Sequence, residues 1–255
     1  LLANAVHAPH QATRVQRSAL RFTLGASMDE TSISFYGNPN ETALAWCLDR
    51  ALRDALGLKS KLPDWIMTMP GMSGRKYRRM INQLVGLAPQ PRYLEVGSWA
   101  GSTACSAMYG NALPVTCIDN WSEFGGPRAA FDQATDAARS DQIAFRVIEE
   151  DFRKVDYSAI GTYNIYLFDG PHEYQDQFDG VTMAQPALAD EHILIVDDWN
   201  WPQVRQGTID AITKLGLRII SGVEIKTNQV DAHPATSFEA SEWHNGYLLA
   251  VLART

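Results

Sequence analysis

The spacing of apolar residues changes character part-way along this chain of 255 residues. Between positions 41 and 56, Leu44, Cys47, Leu48, Ala51, Leu52 and Leu56 recur three and four apart, the stripe of an amphipathic helix. Asn40 stands before it as an N-cap and Gly57 after it as a C-cap. Lys59 to Pro63 read as a linker. A second helix follows Ser73 or Gly74, with Tyr77, Met80, Ile81, Leu84 and Val85 on one face. From residue 92 onward, short apolar runs take over at 92–96, 114–118, 144–148, 163–168 and 192–196. Helical stretches separate them at 101–110, 127–139, 174–188 and 203–215. Strands alternating with helices predict an α/β protein with a parallel sheet. Two later runs, 217–226 and 246–253, flank a segment without helical pattern that suits a hairpin-like or looped connection. Residues 1–38 carry no clean period. The chain thus divides into a small N-terminal helical extension, 1–62, and an α/β domain, 63–255.

Composition narrows the function classes. Hydrophobic content of 45% with 20% charged residues fits a soluble globular chain, and a net charge of −7 argues against nonspecific binding to nucleic acid or anionic membranes. Cys47, Cys105 and Cys117 form an odd set without CxxC spacing, as expected of reduced, buried thiols in a cytosolic protein rather than a zinc site. No window holds the roughly 18 apolar residues of a membrane span, and the first residues lack the order of a signal peptide. Leu1 is not a starting methionine, so its position leaves room for residues before it. The expectation is a cytoplasmic protein.

The most informative stretch is YLEVGSWAGST, residues 93–103. An apolar run holding Glu95 breaks into a turn with Gly97 and Gly101 four apart, followed by a small-residue helix start at Ser102 and Thr103. Glycines permit positive φ and close approach of a ligand, and the new helix has unpaired N–H groups in its first turn. A dinucleotide fingerprint needs GxGxxG, and a Walker loop needs a lysine after its last glycine; neither pattern is present. An ordinary β–turn–α connection, with glycines for geometry alone, is the plain alternative.

This stretch resembles motif I of the class I S-adenosylmethionine-dependent methyltransferases, E/D-x-G-x-x-x-G. The resemblance implies a Rossmann-like, seven-stranded, mostly parallel sheet flanked by helices, with the glycine turn (Gly97, Ser98, Gly101, Ser102, Thr103) against the methionine part of the cofactor. It implies that Glu95 helps to bind the cofactor's amino group, directly or through water.

In open α/β sheets, ligands bind beyond the carboxyl ends of the strands, so the other strand ends can be read as a set. The second ends in Asp119, Asn120 and Trp121: a carboxylate for both ribose hydroxyls and a flat face for adenine. Capping by Asp119 and core packing or substrate contact by Trp121 are the alternatives. The third leads to Asp151 and Phe152, where the family places an adenine-reading acid and its neighbour; Glu150 or plain surface charge competes. The fourth ends in Asp169-Gly170, with His172 three residues beyond Asp169, and the fifth in Asp197-Asp198. Adjacent carboxylates after so apolar a run repel each other unless a cation or donor offsets them. Asp169, Asp197 and Asp198 would make an oxygen-rich site for Mg²⁺, Mn²⁺ or Ca²⁺.

That set resembles the metal-dependent O-methyltransferases, particularly the macrocin-type branch that methylates antibiotic sugars, with its DGxHxY-bearing relatives. The Asp-Asp pair leans away from the catechol-type branch, which has Asp-Asn there. Catechol-type enzymes also carry a base lysine where this chain has His172, a better resting base near neutral pH. Helix capping by Asp198 and a structural hydrogen bond by His172 are the plain alternatives. The helix start at Ser73 and Gly74 occupies the place where these enzymes set backbone N–H groups against the cofactor's carboxylate, with Arg75 and Lys76 adding charge. Arg78 and Arg79 read as a solvated basic face, and His7, His10 and His233 as surface residues; Trp243 and His244 are weaker candidates for the substrate mouth.

The resemblance covers residues 70–255 and implies an S-adenosylmethionine-dependent O-methyltransferase, assisted by a divalent metal (Mg²⁺ first), acting on a hydroxyl of a small sugar, phenol or natural-product acceptor. His172 would be the base and Asp169 would serve metal, cofactor and catalysis together. Residues 1–62 would form a lid or a contact in a possible homodimer. The alternatives are a metal-independent methyltransferase of the same fold and a non-catalytic cofactor-binding partner protein.

Overall fold

A computed structural model describes residues 17–21, 31–228, 233–234 and 238–254. His7 and His10 lie outside the described residues. The architecture is one nine-stranded sheet in the order β1-β2-β8-β9-β7-β6-β3-β4-β5. Its parallel part comprises β3 (Tyr93–Val96), β4 (Leu113–Ile118), β5 (Ile143–Ile148), β6 (Tyr163–Phe168) and β7 (Leu188–Val196). The terminal pair β8 (Arg218–Lys226) and β9 (Tyr247–Ala253) is antiparallel, with β9 inserted between β7 and β8. These seven strands are the ones the apolar runs predict. The sheet extends further: β1 (Arg17–Arg21) and β2 (Ser32–Gly37) form a hairpin whose β2 pairs antiparallel with β8. The N-terminal extension therefore adds two strands to its helices, at an edge where only Ile33 of β2 is buried.

Strand alternation sorts the core into two faces, as a period of two requires. Tyr93, Ile165, Leu167, Ile193, Ile195, Leu249 and Val251 join one cluster, with residues from helices α1 (Ala43–Leu56), α3 (Arg75–Leu87), α4 (Ser102–Met108) and α5 (Arg128–Ala138). Leu94, Val96, Tyr166, Phe168, Leu194, Val196, Leu248 and Ala250 join the other, under α6 (Tyr174–Met183) and α7 (Pro202–Lys214). A short helix, α2 (Asp64–Thr68), directly follows the Lys59 to Pro63 linker, in a stretch to which the sequence assigns no element. The N-cap of α1 is Thr42, whose hydroxyl accepts from the Ala45 N–H at 3.2 Å, rather than Asn40. β7 begins four residues earlier than its apolar run, and α6 ends correspondingly sooner. Among the described residues, no helix is long and apolar enough to cross a membrane.

His192, wholly buried in β7, has its Nδ1 2.9 Å from the Ala189 carbonyl and, among the described residues, no partner for Nε2. Burial pushes its imidazole down to about 4, and Arg254 adds to this against the backbone hydrogen bond. The unfolded chain takes up this proton near pH 6.5 and the folded one does not, so stability is lost as pH falls from about 6.5 to about 4. His192→Leu is expected to keep on the order of 3 kcal/mol more of its neutral-pH stability at pH 4 than the wild type. Urea unfolding at both pH values checks this; equal acid losses would contradict it.

Candidate functional site

All five parallel strands deliver their carboxyl ends to one cavity of about 510 Å³, within the ~300–1,000 Å³ range of small-molecule sites. β3 is the switch point, with β4 on one side and β6 on the other. Its end turns sharply: Gly97 sits at φ +84, Trp99 at φ +44 and Gly101, the N-cap of α4, at φ +86. A Cβ on Gly97 would overlap the Asp169 carbonyl, so a glycine is required where β3 and β6 release their chains.

Of the residues singled out from sequence, Ser73, Gly97, Ser98, Ser102, Thr103, Asp119, Asn120, Asp151, Phe152, Asp169, His172, Asp197 and Asp198 all line this cavity. Four do not. Glu95 shares the strand face of Tyr93, turned under α4 into the core: it is fully buried and accepts from the Tyr93 hydroxyl at 2.6 Å. Burial pushes its carboxyl up to about 7, against hydrogen bonding from Tyr93, Ser98 and Thr103. Gly101 faces Phe131 and Thr135 of α5 instead of the cavity, so bulk there strains helix packing before it reaches a ligand. Trp121 packs edge-on against Phe131 (centroids 5.1 Å apart), is capped by the Arg128 guanidinium at 4.4 Å and donates to the Trp99 carbonyl. Trp99 lines the cavity in its place.

Gly74 is the fourth, and the anion site expected at the start of α3 is already filled. The N–H groups of Arg75, Lys76 and Tyr77 donate to the Ser241 and Glu242 carbonyls. Arg75 and Lys76 pair with the Glu242 carboxylate at 3.4 and 3.2 Å. Gly74 serves this packing: a Cβ there would overlap the Glu242 backbone. Arg78, expected on a solvated face, is wholly buried.

Asp119 accepts from the Trp99 and Trp121 N–H groups at 2.8 and 2.7 Å. One carboxylate oxygen thus fixes each flanking turn, and further lone pairs are left for ligand hydroxyls. Asp151 caps a 3₁₀ turn through the Arg153 N–H, and Phe152 packs edge-on against Phe168.

The acidic end is tightly wired. His172 Nε2 donates to Asp198 Oδ2 at 2.8 Å, and Asn245 Nδ2 donates to Asp198 Oδ1 at 2.6 Å. Asn245 Oδ1 lies 3.1 Å from Nδ1 of His233. The amide nitrogen must face the acceptor-only carboxylate, so the amide oxygen faces His233, whose Nδ1 is the donor. The backbone N–H of Asp198, a residue held at φ +55, donates to Asp197 Oδ1. Burial and then the charge of Asp198 push Asp169 well above the usual carboxylate range, burial and the charges of Asp169 and Asp198 do the same to Asp197, and Asp169 and Asp197 hydrogen-bond each other. Burial also opposes ionisation of Asp198, but His172 and Asn245 hold it below that range. Burial works against the His172 imidazolium, yet Asp198, Asp169 and Glu123 outweigh it and raise the pKa to about 9. His172 is therefore protonated at neutral pH in this arrangement, which removes the resting-pKa argument for it as a base.

The donors that converge are Asp169, Asp198 and His172, one atom from each lying within 4.8 Å of the others. Asp197 stands behind them, bonded to Asp169 and to its own neighbour's N–H. The expected triad of three aspartates is thus drawn as two aspartates and a histidine. Trp201, His233, Phe238, His244 and Asn245 complete the wall. His233 is not merely a surface residue, and Trp243 is a core side chain. The 241–246 segment gave no periodic signal because its place is set by the backbone bonds to α3 and by Asn200, which accepts from Thr227 and donates to Asn245.

Residues 94–199, from the first glycine turn to just beyond the Asp197-Asp198 pair, match the model of a family described as a methyltransferase domain. No curated protein sequence matches. Among solved structures, cofactor-bound Rv0187 from MTB is 13% identical with a TM-score of 0.51, covering 82% of this chain and 90% of that one. The O-methyltransferase TomG from Streptomyces achromogenes, in complex with SAM, is 14% identical with a TM-score of 0.49 over 82% and 90%. TrmN from Thermus thermophilus is 14% identical with a TM-score of 0.48 over 81% of this chain, which spans 53% of TrmN. At this identity the likeness to Rv0187 speaks to fold alone.

Proposed function

We propose that this chain, whose residues 94–199 match a family described as a methyltransferase domain, transfers a methyl group from S-adenosylmethionine to a hydroxyl of a small molecule, assisted by a divalent cation held at Asp169, Asp198 and His172. The observation that carries this reading is the meeting, in one cavity, of the β3 glycine turn with a convergent carboxylate–imidazole cluster. The cofactor fits the residues present: Asp119 and Asp151 stand at the ends of β4 and β5, where ribose and adenine would lie, and the methionine arm would reach Gly97, Ser102 and Ser73. A cation fits the cluster, because buried Asp169 faces the charge of Asp198. When bound, it would supply Lewis acidity that lowers the pKa of the acceptor hydroxyl.

The chain's own residues do the rest. Asn245 and the left-handed turn at Asp198 fix one carboxylate, Asp198 orients His172 through its Nε2, and a carboxylate of the cluster would take the acceptor's proton. Trp99, Phe124, Trp201 and Phe238 enclose the acceptor and limit water, so that much of the rate comes from positioning. The net charge of −7 and the Glu123 and Glu150 carboxylates in the cavity wall favour a small neutral acceptor over RNA. Residues 1–62 are proposed to shape acceptor choice or a homodimer contact.

One observation favours a second reading, methyl transfer without metal: His172 and Asn245 already balance Asp198, and Asp169 and Asp197 share a hydrogen bond. Radiolabelled methyl transfer to a panel of sugars, phenols and polyketide alcohols, with bulk tRNA in parallel, separates them. The expected result is transfer to a small hydroxyl compound that chelation abolishes and Mg²⁺ or Mn²⁺ restores. Full activity in chelator would favour the second reading. Transfer to tRNA alone, or cofactor binding without transfer to anything, would contradict the proposal.

A further inference from the structure

Arg78 is the largest of the wholly buried side chains, and among the described residues no carboxylate pairs with it. Its four hydrogen bonds go to neutral acceptors: Nη1 to the Ile66 and Met69 carbonyls at 2.7 and 3.0 Å, Nη2 to the Gly71 carbonyl at 3.3 Å, and Nε to Ser73 Oγ at 2.9 Å. Buried Asp54, by contrast, is paired with both Arg50 and Lys59. Burial lowers Arg78 only to about 10, against the charge of Glu239, which acts on it without forming an ion pair, so it remains a cation at neutral pH. A buried charge without an ion pair in contact is costly, and a side chain is kept in that state most economically where an anion arrives from outside.

The hydrogen-bond inventory shows where that anion would arrive. Ser73 Oγ lies 2.8 Å from Ser102 Oγ, and both residues line the cavity. Arginine is a donor only, so Ser73 accepts from it. The two hydroxyls hold two protons. One is spent between them, in either direction, and the other has no acceptor among the described residues. Whichever serine keeps it, an unspent O–H belongs to a hydroxyl on the cavity wall, polarised by the guanidinium behind it. Gly71 makes this contact possible, because a Cβ there would overlap the Ser102 side chain and come within 2.8 Å of Arg78 Nη2. The start of α3 offers no competing site, since its N–H groups are already bonded to the 241–242 carbonyls.

We propose that Arg78, acting through the Ser73–Ser102 hydroxyl pair, supplies the countercharge for the α-carboxylate of the bound cofactor. This rests on the S-adenosylmethionine reading of the cavity and assigns one end of it. Arg78 is a positioning residue here; Ser73 and Ser102 touch the ligand.

The test is calorimetric titration of S-adenosylhomocysteine and of its decarboxylated analogue into the wild type, Arg78→Met and Ser73→Ala. Hydrogen bonding to a charged group predicts that the wild type favours the carboxylate-bearing ligand by about tenfold or more. In both variants that preference is expected to fall towards one, with S-adenosylhomocysteine weakened and the decarboxylated analogue unchanged. A purely structural role for Arg78 would weaken both ligands alike and leave the preference standing, which would overturn the proposal. If Arg78→Met does not fold, Ser73→Ala decides alone, because it removes one buried hydroxyl and leaves the arginine's three carbonyl bonds in place. Failure of the wild type to bind either ligand would overturn the cofactor reading itself, an outcome distinct from equal weakening in the variants.

Discussion

Gly97→Ala is expected to destabilise the protein by about 3–5 kcal/mol and to abolish binding of S-adenosylhomocysteine. Two independent costs coincide at this position. Its φ of +84 is one that a residue with a Cβ rarely adopts. The added carbon would also overlap the Asp169 carbonyl, part of the backbone by which β6 enters the site. That carbonyl cannot swing aside like a flexible side chain; moving it moves Asp169, and the Asp169 N–H is itself bonded to the Val96 carbonyl. Denaturant unfolding with calorimetric titration checks both halves. A variant within about 1 kcal/mol of the wild type that still binds the ligand would contradict the geometry of the β3–α4 turn.

Asp169→Asn is expected to move activity and stability in opposite directions. Loss of one donor from the cluster should cost several kcal/mol of Lewis-acid assistance, which lowers kcat by about a hundredfold or more. In chelator the same variant should be more stable than the wild type by about 0.5–2 kcal/mol at pH 8. The sign follows from the raised carboxyl. The folded protein holds protons on Asp169 and Asp197 more tightly than the unfolded chain does. Stability attached to those protons is present at low pH and is lost as pH rises through the folded values. An amide at 169 cannot ionise and can donate to Asp197, so the repulsion disappears. Cofactor affinity should stay within about threefold of the wild type, because the substitution removes no hydrogen-bond partner of the glycine turn. Loss of activity together with loss of stability would instead assign Asp169 a structural role.

Much of the fold was legible because the seven core strands are buried on one or both faces and read as compact apolar runs at even spacing. The β1–β2 hairpin was not. Only Ile33 of β2 is buried, and its pairing with β8 is a tertiary choice that local pattern does not record. The strand-end acids were legible for a chemical reason, since Asp119, Asp169, Asp197 and Asp198 follow runs that have no packing use for charge. What lies beside them depended on turn geometry. The positive φ at Trp99 and the packing of Trp121 on Phe131 exchanged the two indoles. Arg78 sits in a run of basic residues that looks solvated, yet Ile81, Asn82 and Val85, three, four and seven positions later, are all buried. That spacing was the available signal. His233 and Asn245 had none, because they meet Asp198 only through the 241–246 loop.

The most direct test of the site is calorimetric titration of S-adenosylhomocysteine into chelator-treated wild-type protein, repeated with Mg²⁺. The cavity built on Gly97, Ser102, Asp119 and Asp151 predicts saturable one-to-one binding without metal, since the cofactor residues and the Asp169–His172–Asp198 cluster are separate groups in one wall. No binding in either condition would contradict the cofactor assignment and leave this cavity needing a different ligand.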